Sequence, residues 1–171
     1  MMRRLAPILI GILVALLAGC DGGNDEASTQ PPPATTSREA DEAALKNAVR
    51  QALRDNDRLS GYVLWVNRVP TWATQSTRGP ALATLRRSAA DRRKRGIRIR
   101  TLENRLEITT INLDPSYTKA TALVTSVQRV RPYSSGKPKG RAITLNERAK
   151  VELRRLGASS RFVVWRVQVL G

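Results

Sequence analysis

The stretch IRIRTLENRLEITTINL, residues 97–113, decides the fold of this chain. Ile97 and Ile99 alternate with arginines, and this period of two is typical of a β-strand with one buried face. Further along the stretch the apolar residues fall out of phase with those before them. We therefore predict one long strand that carries a β-bulge near Thr109 or Thr110.

Three further strands are predicted after this one. Residues 118–131 are rich in Thr and Val, residues 143–154 alternate apolar and polar side chains, and residues 162–170 form the last apolar run. Residues 132–138, with Pro, Ser and Gly, are predicted as a loop. Because short connections join the strands, we expect consecutive antiparallel pairing in a meander.

Three helices are predicted before the sheet. Apolar residues recur at three- and four-residue spacing over Arg38–Arg58, which predicts the first helix. A one-sided stripe over Tyr62–Val69 predicts a second that stops at Pro70, although its β-branched and aromatic content also allows a short strand. The third begins at Pro80 and ends before Gly96. The predicted fold is α+β, with three N-terminal helices packed on a curved four-stranded antiparallel meander.

The amino terminus has the pattern of a secretory signal peptide. Residues 1–20 read MMRRLAPILIGILVALLAGC, with Arg3 and Arg4 before the apolar run Leu5–Leu17. That run, roughly 13 residues, is shorter than the ~20 that a helix needs to cross a bilayer. We therefore expect a cleaved signal peptide over residues 1–19.

The residues Leu17-Ala18-Gly19-Cys20 resemble the lipobox of bacterial lipoproteins. The resemblance implies that the Cys20 thiol is alkylated with diacylglycerol and that cleavage leaves Cys20 as the first residue. Residues 20–37 follow as the lipidated Cys and a linker, which has no Leu, Ile, Val or aromatic residue and is expected to be disordered. The folded domain is then 38–171, lipid-anchored at the extracytoplasmic face of the cell membrane.

The order of elements, the long strands and the bulge resemble the NTF2-like (cystatin-like) α+β roll over about residues 38–170. The layout of anchor, linker and roll is similar to that of the Mce-associated accessory proteins of actinobacterial lipid-transport systems. Enzymes of the roll family, such as the SnoaL-like cyclases, place an Asp or His base in a cone between helices and sheet. The resemblance therefore implies a small-molecule-binding or enzymatic roll as an alternative function.

Composition excludes several kinds of chemistry. The chain has no His and one Cys, which excludes catalytic triads built on His, imidazole zinc ligands and an internal disulfide. No catalytic residue, metal site or cofactor is predicted. The 30 Lys and Arg against 14 Asp and Glu give a formal net charge of +16, and a charge of this size favours an anionic partner.

Basic residues are concentrated in three stretches that the predicted topology brings to one end of the sheet. They end the third helix and begin the first strand, end the second strand, and begin the third strand. The partners that fit are anionic lipid, an acidic wall polymer or an acidic protein, while predicted export argues against nucleic acid. The candidate anion-binding residues are Arg92, Arg93, Lys94, Arg95, Arg98, Arg100, Arg129, Arg131, Lys137, Lys139 and Arg141.

The alternative function requires a pocket, for which four residues are candidates. Glu147 is in phase with the apolar residues of its strand, so a buried carboxylate there would have a raised pKa and could act as a base. It could instead pair with a neighbouring Arg, or lie at a bulge that turns it outward. Tyr62, Trp65 and Trp72 could line the cone, or could form plain core at helical spacing.

Overall fold

The computed structural model describes residues 35–170, which form two α-helices followed by an antiparallel sheet. The predicted signal peptide, Cys20 and nearly all of the predicted linker lie outside the described residues. The prediction of three helices on a four-stranded meander is wrong, because the structure has two α-helices and a five-stranded sheet. The elements are α1 Thr35–Val66, a short 3-10 helix Thr71–Gln75, α2 Gly79–Lys94, β1 Ile97–Leu113, β2 Lys119–Ser134, β3 Lys137–Pro138, β4 Ile143–Arg155 and β5 Phe162–Val169.

The predicted first and second helices are one continuous helix of 32 residues. Gly61 lies inside it, and an interior glycine costs about 1 kcal/mol relative to Ala. Leu59 and Val63 on either side are both 0% exposed, and burying such side chains stabilises by about 1.5–3 kcal/mol each. Burial outweighs the glycine, so α1 continues to Val66, and the possible short strand over Tyr62–Val69 is also wrong.

Helix α2, Gly79–Lys94, begins one residue before the predicted start at Pro80 and ends before Gly96, as predicted. Pro80 lies in its first turn, and Gly96 follows its end with a φ of +65°. Gly79 precedes the proline with a φ of +57°, and a Cβ atom there would lie 2.8 Å from the ring of Trp165. The chain therefore enters α2 through a position that only glycine fits, with Trp165 of β5 packed beside it.

The sheet has the strand order β1-β2-β4-β5, and every strand pairing is antiparallel. The register of β1 on β2 shifts between Ile108 and Thr110, which confirms the predicted bulge. A second shift, between Thr101 and Glu103, was not predicted. The two shifts lie in the same long strand and interrupt its regular pairing at two points.

Part of the predicted loop 132–138 is a β-hairpin. Strand β2 extends to Ser134, and β3 pairs back on it with Lys137 opposite Ser134. Ser135 and Gly136 form the two-residue turn with φ values of 49° and 78°, the conformation that closes tight hairpins. Strand β3 ends at Pro138, and the Lys139 N–H still donates to the Pro132 carbonyl at 2.8 Å. Pro132 has no N–H to return the second bond of that pair.

The core consists of two clusters. The first half of α1 packs its buried face, including Val49 and Leu53, against sheet residues such as Val151 and Phe162. The second half of α1 packs against α2 and the 3-10 helix. All buried residues that the structure describes lie between 45 and 164, inside a compact unit that spans Ala34–Gly171. A fragment of residues 34–171 therefore retains the whole core.

Candidate anion-binding surface

Asn67 joins three elements at one end of the domain. Its N–H donates to the Val63 carbonyl at 2.9 Å and its φ is 55°, so it ends α1 in the left-handed conformation. Its side chain is buried, with Nδ2 donating to the Ile97 carbonyl and Oδ1 accepting from Arg92 Nε at 3.1 Å. The ends of α1 and α2 and the start of β1 therefore meet here. Sequence reasoning missed Asn67, which lay inside the predicted stripe Tyr62–Val69, although Asn is a known helix-ending residue.

The register of the strands brings the basic stretches to this same end. Arg100 lies directly opposite Arg131, and Arg98 lies opposite Tyr133 on β2. The β2–β3 hairpin adds Lys137 next to the same strand end. Like charges directly opposite one another destabilise a strand pair, so this arrangement costs free energy in the isolated domain.

Three of the eleven candidate cations are already engaged within the domain. Arg92 donates to Asn67 and, through Nη2, to the Val63 carbonyl at 3.4 Å, and burial lowers the pKa of its guanidinium. Arg95 pairs with Asp91 one helical turn earlier. Arg129 pairs with Glu103 across β1 and β2 at 2.9 Å. These three have structural contacts that do not require an external anion.

The other eight candidates form what we call the basic surface. None of them forms an ion pair with an acidic residue in the part of the chain that the structure describes. Within the same residues, Arg131 Nε is buried and has no hydrogen-bond partner. The basic surface consists of Arg93, Lys94, Arg98, Arg100, Arg131, Lys137, Lys139 and Arg141.

The charge of the whole domain adds to that of the basic surface. Residues 35–170 contain 28 Lys and Arg against 11 Asp and Glu. Only five ion pairs form among them, all at least partly exposed to solvent. Because few cations are neutralised internally, the potential of the domain stays strongly positive at this end.

The three aromatic pocket candidates lie together on the outside of the domain. Tyr62 and Trp72 are each 45% exposed, with ring centroids 5.9 Å apart. Trp65 is 39% exposed and meets the ring of Tyr133 edge to face at 5.4 Å. They are therefore neither plain core nor the lining of a cone. Trp65 lies beside the basic surface, because Tyr133 is opposite Arg98.

A cavity of about 480 Å³ does lie between the helices and the sheet, but it lacks those aromatic residues. Its walls are mainly aliphatic, for example Leu53, Leu106 and Val151, with polar groups from both helices. Glu147 lies on the wall, directly opposite Ser126, and its side chain is exposed. The structure thus does not assemble the predicted pocket of three aromatic residues around a buried Glu147.

Sequence reasoning missed Asp57, the other carboxylate of the cavity wall. Burial raises the pKa of Asp57, and the hydrogen bond from Asn104 Nδ2 opposes that shift. The cavity wall therefore holds one carboxylate whose pKa is raised by burial, Asp57, and a second, Glu147, that is open to solvent. No cluster of three or more His, Cys, Asp or Glu that could hold a metal ion occurs within residues 35–170.

Comparisons with known proteins bear on the fold alone. No family model and no curated protein matches the sequence. Among solved structures, the chain is similar to the crystal structure of the intermembrane space region of the chloroplast protein ARC6, with a TM-score of 0.63 and 11% identity over 73% of this chain and 95% of that one. At this identity the likeness shows a shared fold. In the described residues, no helix has the length and apolar character to span a membrane.

Proposed function

We propose that this chain is a lipid-anchored protein of the cell envelope whose domain binds an anionic surface or partner through the basic surface, without catalysing a reaction. The observation that carries the proposal is Arg100 directly opposite Arg131, whose buried Nε has no partner within the described residues. An external anion placed over the two guanidinium groups would relieve the repulsion between them. Anionic lipid, wall polymer and acidic protein all offer such groups.

Lipid anchoring at Cys20 gives the proposal its location. It rests on the sequence Leu17-Ala18-Gly19-Cys20 after a charged and then apolar segment. Replacing Cys20 by Ala is expected to abolish incorporation of labelled fatty acid and to leave the uncut precursor. Normally processed protein released into the medium would contradict the anchor.

Binding to vesicles and to a soluble polyanion tests the function itself. The fragment 34–171 is expected to sediment with phosphatidylcholine vesicles that contain phosphatidylglycerol, but not with phosphatidylcholine alone. It is also expected to bind polyphosphate at low salt, and both kinds of binding should weaken as salt screens the charges over about 10 Å. Equal sedimentation with both kinds of vesicle, together with no binding of polyphosphate, would overturn the proposed function.

A further inference from the structure

A group of half-exposed apolar side chains projects from the end of α1 and is not part of the core. Tyr62, Trp65 and Val66 lie three and four residues apart, so they share one face of the helix. Trp72, from the 3-10 helix, packs on Tyr62. All four are at least 36% exposed. We call these four residues the aromatic rim.

The core beside the aromatic rim is complete without it. The cluster under this end of α1 is formed by Leu59, Val63, Ala73, Leu82 and Ala89, all buried. Instead, the ring of Tyr62 contacts that of Trp72, and the ring of Trp65 contacts that of Tyr133. Exposed Trp and Tyr grouped in this way are unfavourable in water, and contiguous apolar patches with a polar border mark interaction sites.

The aromatic rim adjoins the basic surface. The ring of Trp65 meets the ring of Tyr133, which lies opposite Arg98. Residues opposite each other, and residues two apart on one strand, share a face of the sheet, so Arg98, Arg100 and Arg131 lie on the same face as Tyr133. Arg68, exposed and two residues after the end of α1, adds a further cation to this end of the domain. The aromatic rim and these arginines therefore lie side by side.

This combination selects one partner among those that the proposed function allows. A soluble polyanion offers charge but no apolar phase, so it would leave the aromatic rim in water. The interfacial region of a bilayer accommodates both, because Trp and Tyr favour the headgroup level and Lys and Arg pair with anionic headgroups. Resting on the proposed function, we infer that the partner is a lipid bilayer with anionic headgroups, into which the aromatic rim inserts.

Tryptophan fluorescence can test insertion directly, because two of the three tryptophans of the chain lie in the aromatic rim and the third lies elsewhere. Trp65 and Trp72 belong to the aromatic rim, whereas Trp165 packs on Gly79 at the start of α2, about 20 Å along that helix from its basic end. In the fragment 34–171 with Trp165→Phe, emission is expected to shift to the blue on vesicles that contain phosphatidylglycerol. Lipids that carry a quencher in the upper acyl chain should quench it.

The matched fragment carries Trp65→Phe and Trp72→Phe, so that only Trp165 emits. Its emission should change little on the same vesicles. A second variant, Trp65→Ser with Trp72→Ser, is expected to bind these vesicles about tenfold more weakly, because binding scales with the apolar area that is buried. Its affinity for polyphosphate should not change, because no cation is removed.

The outcomes separate this inference from the function on which it rests. Quenching confined to the rim tryptophans, with selective loss of vesicle binding in the Ser variant, supports insertion. Vesicle binding with no quenching and no loss in the Ser variant would overturn insertion and leave the basic surface as the binding element. Failure to bind either vesicles or polyphosphate would overturn both.

Discussion

Replacing Arg98, Arg100, Lys137 and Lys139 together by Gln is expected to weaken binding to phosphatidylglycerol vesicles roughly a thousandfold. Each basic residue near an anionic bilayer contributes about 1 kcal/mol, so four contribute about 4 kcal/mol. All four side chains are exposed, and none forms an ion pair with an acid within residues 35–170. Their removal should therefore leave the fold intact. Vesicle sedimentation of the fragment 34–171 at about 0.1 M salt measures the effect.

The control must lose the same charge away from the basic surface. Lys119 begins β2 and Arg161 precedes β5, so both lie at the end of the sheet opposite the basic surface. Two further cations, Arg50 and Arg54, lie in the middle of α1. The basic surface lies beyond about 10 Å from these positions, where salt screens most of the interaction, so the expected loss is no more than about tenfold. Equal losses in the two variants would mean that net charge, and not the basic surface, governs binding. The control variant is Arg50→Gln, Arg54→Gln, Lys119→Gln and Arg161→Gln.

Local sequence patterns predicted the features that the backbone geometry of a few neighbouring residues determines. The phase change around Thr109 predicted the shift between Ile108 and Thr110, because a period of two cannot absorb an extra residue without a bulge. Pro80 and Gly96 predicted where α2 begins and ends, because the first helical turn does not use the N–H that proline lacks, and glycine readily adopts the positive φ that follows the helix. In both cases one or two residues carry the signal.

The errors in the predicted fold arose where contacts between residues far apart in the sequence, or the geometry of a turn, determine the structure. The sequence patterns predicted one helix that ends at Arg58 and another that begins at Tyr62, but the burial of Leu59 against residues of α2 and the 3-10 helix keeps the helix continuous. Strand β3 depends on Ser135, whose positive φ lets the chain turn in two residues. Serine rarely adopts that conformation, so its sequence gave no strong hairpin signal.

The composition of the candidate site was easier to predict than its internal contacts. The three basic stretches do meet at one end of the domain, because antiparallel topology alone requires it. Arg129 pairs with Glu103 because the unpredicted register shift after Thr101 places the two residues opposite each other. The outward position of Trp65 likewise depends on α1 being continuous, since a separate second helix could have turned that face inward.

Replacing Asn67 by Ala is expected to lower the free energy of unfolding by about 3 kcal/mol. Alanine in the left-handed conformation costs roughly 1–2 kcal/mol, and the change also removes the donor to the Ile97 carbonyl and the acceptor of Arg92 Nε. Leaving a buried polar group without its partner costs about 1–3 kcal/mol. These contributions are not fully additive. Urea unfolding of the fragment 34–171 measures the sum.

Two further substitutions separate the causes of that loss. Asn47 lies on the exposed face of α1, where its side chain only accepts a hydrogen bond from Arg50 at 2.8 Å, so Asn47→Ala should cost less than about 0.5 kcal/mol. Asn67→Gly tolerates the positive φ and should recover about 1 kcal/mol relative to Asn67→Ala. If Asn67→Ala is no more destabilising than Asn47→Ala, the ends of α1 and α2 are held to β1 by packing alone. If the Gly and Ala variants at 67 are equal, the hydrogen bonds to Ile97 and Arg92 account for the whole loss, and the basic surface owes its assembly to them.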